Sequence, residues 1–136
     1  MSLLSHLKLY AACIVVFFAL DLTWLGAVAK GFYAAQMGHL LRPDVQWPAA
    51  VLFYLIYVAA IVVLCVVPAV EKQSLMRALG TGALFGLAAY AAFDLTGLAL
   101  LKDFPSGVVL VDLAWGTVLT ASVSAAGFKA AGWLLG

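Results

Sequence analysis

The chain has 136 residues, of which 67% are hydrophobic and only 10% are charged, and its formal net charge is +1. Soluble domains are nearer half apolar and a quarter charged, so this composition, with a mean hydropathy of +1.16, indicates an integral membrane protein. The small net charge excludes the basic surface that nucleic-acid binding requires. The length allows about four or five helical spans of roughly 20 residues each.

The first predicted span covers residues about 7–28 and is apolar until it reaches Asp21, Thr23 and Trp24. The small residues at 27–29 resemble the cleavage site of a signal peptide. The three polar or bulky residues interrupt the segment where a signal peptide stays apolar. We therefore expect this segment to be retained as a membrane span.

The longest polar stretch of the chain runs from Lys30 to Trp47, where apolar residues are interspersed with charged and amide side chains. This pattern predicts a short amphipathic helix lying in the membrane interface, followed by a turn at residues 42–44. The segment is expected to cover the end of the bundle, with a substrate lid as the alternative. His39 is expected to be a solvated interface residue.

The second predicted span covers residues about 48–68, between Trp47 and Pro68. Trp is favoured at headgroup level, and the proline at position 48 is tolerated in a first helical turn. Tyr54 and Tyr57 are three residues apart and therefore share one face of the helix.

The third and fourth predicted spans cover residues about 75–101 and about 107–127, with a continuation of the fourth to Trp133 as the alternative. Gly82 and Gly86 in the third span have the spacing that permits close helix approach in lipid. In the fourth span a stripe of small and polar residues recurs every four positions and is expected to face protein: Asp112, Gly116, Thr120 and Ser124.

Four spans place both termini on one side of the membrane, and the basic residues divide unequally between the sides. Four cations lie on the side of the termini and three on the other: Lys8, Lys72, Arg77 and Lys129 against Lys30, Arg42 and Lys102. The positive-inside rule then predicts cytoplasmic termini.

Three aspartates interrupt the predicted spans, and they are the most informative residues of the chain. Asp21 and Asp94 both begin the triplet Asp-Leu-Thr, in the first and third spans, and Asp112 lies in the fourth. Because the spans alternate in direction, all three fall in one half of the membrane, on the side opposite the termini. They are therefore expected to lie together at one depth.

An aspartate in hydrocarbon costs about 2.5–3.5 kcal/mol on insertion scales, so each needs a partner. Because three neighbouring carboxyls cannot all ionise cheaply, we expect at least one shared or retained proton. The alternative is that the aspartates only fasten the helices together. The candidate ligand- or proton-binding residues are Asp21, Asp94, Asp112, Tyr54, Tyr57, Tyr90, Trp24, Trp115, Thr96 and Lys102.

Motifs for nucleophilic, phosphate-binding or metal chemistry are missing from the sequence. No catalytic residue, metal or cofactor is therefore predicted. Cys13 and Cys65 lie in apolar runs and are expected to be buried free thiols.

The run F-D-L-T-G-L-A-L-L-K-D-F-P at residues 93–105 and V-D-L-A-W-G-T at 111–117 resemble a family of small predicted bacterial membrane proteins, domain of unknown function 2177. The D-L-T-W-L-G at residues 21–26 also resembles its first-span motif. The resemblance covers nearly the whole chain and implies four spans in a bacterial inner membrane, without an established activity. Gly97 departs from it, since a polar residue such as Asn is expected there.

The sequence thus predicts an all-α integral membrane protein with a single transmembrane domain over residues 1–136. This is a bundle of four transmembrane helices with a short interfacial amphipathic helix between spans one and two. The expected function is binding or translocation of a small or lipid-like molecule at the aspartates, with proton exchange and a homodimer as further expectations. The alternatives are a membrane enzyme using a buried Asp as general acid/base on a lipid or isoprenoid-like substrate, and an accessory subunit of a membrane complex.

Overall fold

The computed structural model describes residues 1–135, which form helices and connecting turns with no strand among them. Four helices are long and apolar enough to cross a membrane, so the predicted all-α architecture with four membrane-length helices is confirmed. We call them spans 1 to 4: Leu3–Val28, Trp47–Glu71, Leu75–Leu100 and Ser106–Leu134. Span 4 ends at Leu134, one residue past Trp133, to which the sequence allows the fourth span to continue.

Local sequence signals explain where the helices begin. The Ser2 hydroxyl accepts a hydrogen bond from the backbone N–H of Ser5 at 3.1 Å, and the Ser74 hydroxyl accepts one from that of Arg77 at 3.1 Å. Both serines are N-caps, which satisfy backbone donors that a helix start leaves unpaired. Span 2 begins with a proline in its first turn, where the missing N–H costs nothing.

Spans 1 and 2 each contain a π-helical segment, at Trp24–Val28 and Val62–Val66. In the first, the N–H of Ala29 donates to the carbonyl oxygen of Trp24 at 2.8 Å, five residues earlier. Such wider turns are often found at functional sites because they re-aim the side chains around them. The first segment begins three residues after Asp21.

Spans 3 and 4 form the closest helix pair, and glycines bring their backbones together. A Cβ added at Gly82 would lie 2.8 Å from the carbonyl oxygen of Thr120, and one at Gly86 would collide with the carbonyl oxygen of Gly116. The glycines at 82 and 86 therefore occupy positions where any side chain would force the spans apart.

Replacing Gly86 by alanine is expected to destabilise the bundle by about 1–3 kcal/mol, because the methyl group overpacks the contact with span 4. Gly80 of the same span has nothing within 4 Å of its added Cβ, so Gly80→Ala is the matched control and should be neutral or slightly stabilising. Thermal unfolding in detergent measures both. Equal midpoints for the two variants would contradict this packing.

A short helix, Lys30–Met37, connects spans 1 and 2, and we call it the connecting helix. Beyond it, His39 is exposed and its Nε2 lies 2.7 Å from the carbonyl oxygen of Asp103 in the loop between spans 3 and 4. The segment after span 1 therefore reaches across the end of the bundle at which the last loop also lies.

Candidate functional site

A cavity of about 450 Å³ lies at the end of the bundle near the connecting helix. All four spans contribute to its walls. The lining residues are Asp21 and Leu25 of span 1, Ala50, Phe53 and Tyr54 of span 2, Ala89, Tyr90 and Phe93 of span 3, and Asp112 and Trp115 of span 4.

The cavity exists because spans 2 and 3 do not pack along their full length. Their closest backbone contacts involve the half of span 2 from Val62 to Glu71. Near the middle, the ring of Tyr57 stacks on that of Phe85 with centroids 5.1 Å apart. Beyond this stack, toward Trp47, the space between the two spans is the cavity.

The mouth of the cavity is apolar, and its floor is acidic. Leu25, Phe53 and Phe93 line it with side chains that are 40%, 46% and 59% exposed, so they mark the opening on the side of the bundle. Asp21, at 6% exposed, is one of the two carboxyls inside. An amphiphilic molecule that enters through this opening would contact the apolar side chains first and the two carboxyls last.

Asp21 is held by two aromatic donors from other spans. Its Oδ1 accepts a hydrogen bond from Trp115 Nε1 at 3.1 Å, and its Oδ2 accepts one from the Tyr54 hydroxyl at 3.3 Å. The Trp115 ring is itself stacked on that of Trp24, with centroids 4.5 Å apart and planes 8° from parallel. The donor to Asp21 is therefore fixed in orientation by a neighbouring ring.

Asp112 is held by a hydrogen bond from the connecting helix. The Tyr33 hydroxyl donates to its Oδ1 at 2.8 Å and accepts from Trp24 Nε1 at 3.2 Å. Burial raises the pKa of the Tyr33 hydroxyl above its ordinary value, so the group stays protonated and remains a donor. This chain of hydrogen bonds ties spans 1 and 4 to the connecting helix.

Asp94 is fully buried, and neither of its carboxyl oxygens accepts a hydrogen bond from a donor among the described residues. The carboxyl group that interacts with it is that of Asp112. Two carboxyls can form a hydrogen bond with each other only when a proton lies between them. The shared or retained proton that the sequence predicts for the aspartates would lie between Asp94 and Asp112, and it stays a prediction.

The three acids lie at one level of the bundle. Asp21 comes seven residues before the end of span 1 at Val28, Asp94 six residues before Leu100, and Asp112 six residues after Ser106. At 1.5 Å per residue these positions are about 9–10 Å below the helix ends.

The other candidate residues from the sequence fall into two groups. Tyr90 lines the cavity with its ring against Gly116, and Tyr57 lies deeper, where its hydroxyl and that of Thr120 are 2.9 Å apart. Thr96 and Lys102 are exposed and do not line the cavity. The hydrogen-bond donors to Asp21 and Asp112 are aromatic side chains rather than cations.

Sequence reasoning missed Tyr33 and the two phenylalanines of the mouth, Phe53 and Phe93. The signal for Tyr33 was its place in the polar segment that follows span 1, which was predicted to cover the aspartates. The signal for Phe53 was its position next to Tyr54, which the sequence predicts to be a site residue. Phe53 and Phe93 lie in apolar runs and are exposed like the lipid-facing residues around them, so no sequence pattern distinguishes them.

Gly97, where a polar residue was expected, packs under an aromatic ring. A Cβ at this position would lie 2.7 Å from the Phe104 ring. An Asn side chain does not fit here unless Phe104 moves. Phe104 is buried and forms an edge-to-face pair with Phe93, with centroids 5.9 Å apart.

Within residues 1–135 no group of three or more His, Cys, Asp or Glu side chains is arranged to hold a metal ion. The site is thus a set of carboxyls, aromatic rings and hydroxyls, which can bind a hydrogen-bond donor or a cation and can hold a proton.

No curated protein and no solved structure matches the chain. One family model does match, over residues 6–129, and it includes all three aspartates and every residue that lines the cavity. Its description names a membrane protein and no activity, in agreement with the four membrane-length helices. The chain belongs to this family, described as predicted membrane protein, domain of unknown function 2177.

Proposed function

We propose that the protein binds a small or lipid-like molecule in the cavity between spans 2 and 3. The observation that carries this proposal is the combination of a lateral apolar mouth with two carboxyls, Asp21 and Asp112, inside. A volume of about 450 Å³ is within the range of about 300–1,000 Å³ that is usual for ligand pockets. The polar end of the ligand would meet the carboxyls, and its apolar part would fill the mouth.

In this proposal the four spans cross a bacterial inner membrane with both termini in the cytoplasm. The aspartates then lie in the outer half of the bilayer, and the connecting helix lies in the interface above them. Its tyrosine contact with Asp112 supports a role as the cover of the site. A ligand would enter sideways from the outer leaflet, between Phe53 and Phe93.

Proton exchange at the Asp94–Asp112 pair would accompany binding. A donor or cation from the ligand that reaches Asp112 stabilises its ionised form and makes the shared proton unnecessary. The other titratable groups around the pair are Asp21, Tyr33 and Tyr90. Ligand binding would thus release the proton from the pair.

Binding is favoured over complete translocation because the bundle is packed below the cavity. Phe17, Ile61, Leu119 and Val123 are all fully buried there. Transport to the other side of the membrane would require spans 2 and 3 to close at the cavity and to separate at the end where they now pack.

An enzyme is the second candidate, and the Asp94–Asp112 pair is the observation that favours it. Two carboxyls that share one proton can act as general acid and general base. Asp112 lines the cavity, so it would be the member that touches a lipid or isoprenoid-like substrate.

Purification in mild detergent followed by mass spectrometry tests the proposal. Wild type is expected to retain a specific small molecule or lipid that Asp112→Asn loses. Asp103→Asn is the matched control because Asp103 is an exposed loop residue, and it should retain the ligand. Recovery of a chemically altered form of the ligand from proteins that keep Asp112, but not from Asp112→Asn, would favour the enzyme. Identical lipid content in all three folded proteins would sink the binding proposal.

A further inference from the structure

The carboxyls of the cavity have no cationic partner in their hydrogen bonds. Asp21 accepts from an indole and a phenol, and Asp112 accepts from a phenol. Lys30 and Lys102 are exposed and do not line the cavity. Even with one proton shared between Asp94 and Asp112, the site keeps negative charge that neutral donors stabilise without cancelling.

Asp94 gives independent support for a missing cation. It is fully buried, it accepts no hydrogen bond from any of the described donors, and it interacts with the carboxyl of Asp112, which lines the cavity. A buried carboxyl whose partner is another carboxyl is costly for the fold. A positive charge beside Asp112 would stabilise the ionised form of the pair.

The walls next to the carboxyls are aromatic. Tyr54, Tyr90 and Trp115 line the inner part of the cavity, and Phe53 and Phe93 line its mouth. A cation within about 6 Å of such ring faces is attracted by their electrons, and this attraction strengthens when water is excluded. An alcohol would hydrogen-bond to the carboxyls and gain nothing from the rings.

We propose that the cavity selects an organic ammonium group carried on an apolar body, with the ammonium between Asp21 and Asp112 and the apolar body in the mouth. This inference rests on the proposed binding function and names the chemical class of its ligand. An anionic headgroup is excluded from the floor by repulsion from the carboxyls. The shared chemistry could come from a free amphiphilic amine or from the headgroup of an aminophospholipid.

Three probes with the same chain test the selection: decyltrimethylammonium, decanol and decyl sulfate, each titrated into wild-type protein in a neutral maltoside detergent. Calorimetry gives the affinities, and tryptophan fluorescence, to which the stacked Trp24–Trp115 pair contributes, reports changes at the site. The ammonium probe should bind about 30-fold more tightly than decanol, the ratio that a desolvated cation–aromatic contact of about 2 kcal/mol gives. Decyl sulfate should not bind at the site.

Asp21→Asn and Asp112→Asn should each weaken ammonium binding, whereas Asp44→Asn, in an exposed turn, should not. Far-ultraviolet circular dichroism checks that each variant is folded. If a carboxyl variant does not fold, Ala89→Trp, which fills the cavity next to Tyr90, provides the same test by steric exclusion. Ammonium binding that survives in the folded variants would overturn the inference.

Phosphatidylethanolamine, added as competitor, distinguishes the two sources. Displacement of the ammonium probe assigns the site to a lipid headgroup, and the absence of displacement assigns it to a free amine. Equal binding of decanol and decyltrimethylammonium overturns the ammonium class but leaves the binding function standing. Binding of none of the probes overturns the ammonium class, and the binding function fails as well only if wild type also retains no molecule on purification.

Discussion

Replacing Ala89 by tryptophan is expected to abolish ligand retention while leaving the bundle folded. Ala89 is half-buried and lines the cavity, so an indole at this position takes up a large part of the roughly 450 Å³. The mouth between spans 2 and 3 is open, and the new ring can therefore be accommodated without displacing a packed core residue. Mass spectrometry of the purified protein and calorimetry with decyltrimethylammonium both measure the loss.

The neighbouring residue supplies the control. Ala88 is exposed on the same span and does not line the cavity, so Ala88→Trp adds the same ring on the lipid-facing surface. This variant should retain the ligand at the wild-type level. Loss of the ligand in both variants, or in neither, would mean that the space beside Ala89 is not where the ligand binds.

Replacing Asp94 by asparagine is expected to preserve stability and to remove the proton that ligand binding releases. The amide has the shape of the carboxyl and carries a permanent N–H donor toward Asp112, so the hydrogen bond of the pair no longer needs a proton. Wild type should release about one proton on binding, and the variant none. Calorimetric titration of decyltrimethylammonium in buffers of different ionisation enthalpy counts the protons.

Asp94→Leu is the companion variant, since it keeps a side chain of similar reach but removes the partner of Asp112. It should lower the free energy of unfolding by about 1–3 kcal/mol relative to Asp94→Asn, because the half-buried Asp112 then keeps only the Tyr33 donor. If Asp94→Asn were the less stable of the two, or if it still released a proton, the pair would not share one.

Hydropathy and segment length were sufficient for the four helices, because a single apolar segment of about 20 residues satisfies its own backbone hydrogen bonds in lipid only as a helix. The common depth of the aspartates also followed from the sequence, since it depends only on helix rise and alternating direction. Asp21 and Asp112 line one cavity for this reason. The role of Gly86 followed from its size and spacing.

The pairing of side chains could not be predicted, because it depends on how each helix is rotated and tilted. Tyr54 and Tyr57 share a face, yet Tyr54 donates to Asp21 while Tyr57 pairs with Thr120 at a deeper level. Lys102 is near the aspartates in sequence but exposed in the loop after span 3. The cavity itself arises from incomplete packing of spans 2 and 3, which no local pattern encodes.

The most direct test of the central claim is photo-crosslinking in living cells. Benzoylphenylalanine placed at position 53, in the mouth of the cavity, should capture one specific molecule that mass spectrometry identifies on the protein. The same group at position 52, which is exposed and outside the cavity lining, should capture only bulk membrane lipid. Identical adducts at positions 52 and 53 would contradict a ligand site between spans 2 and 3.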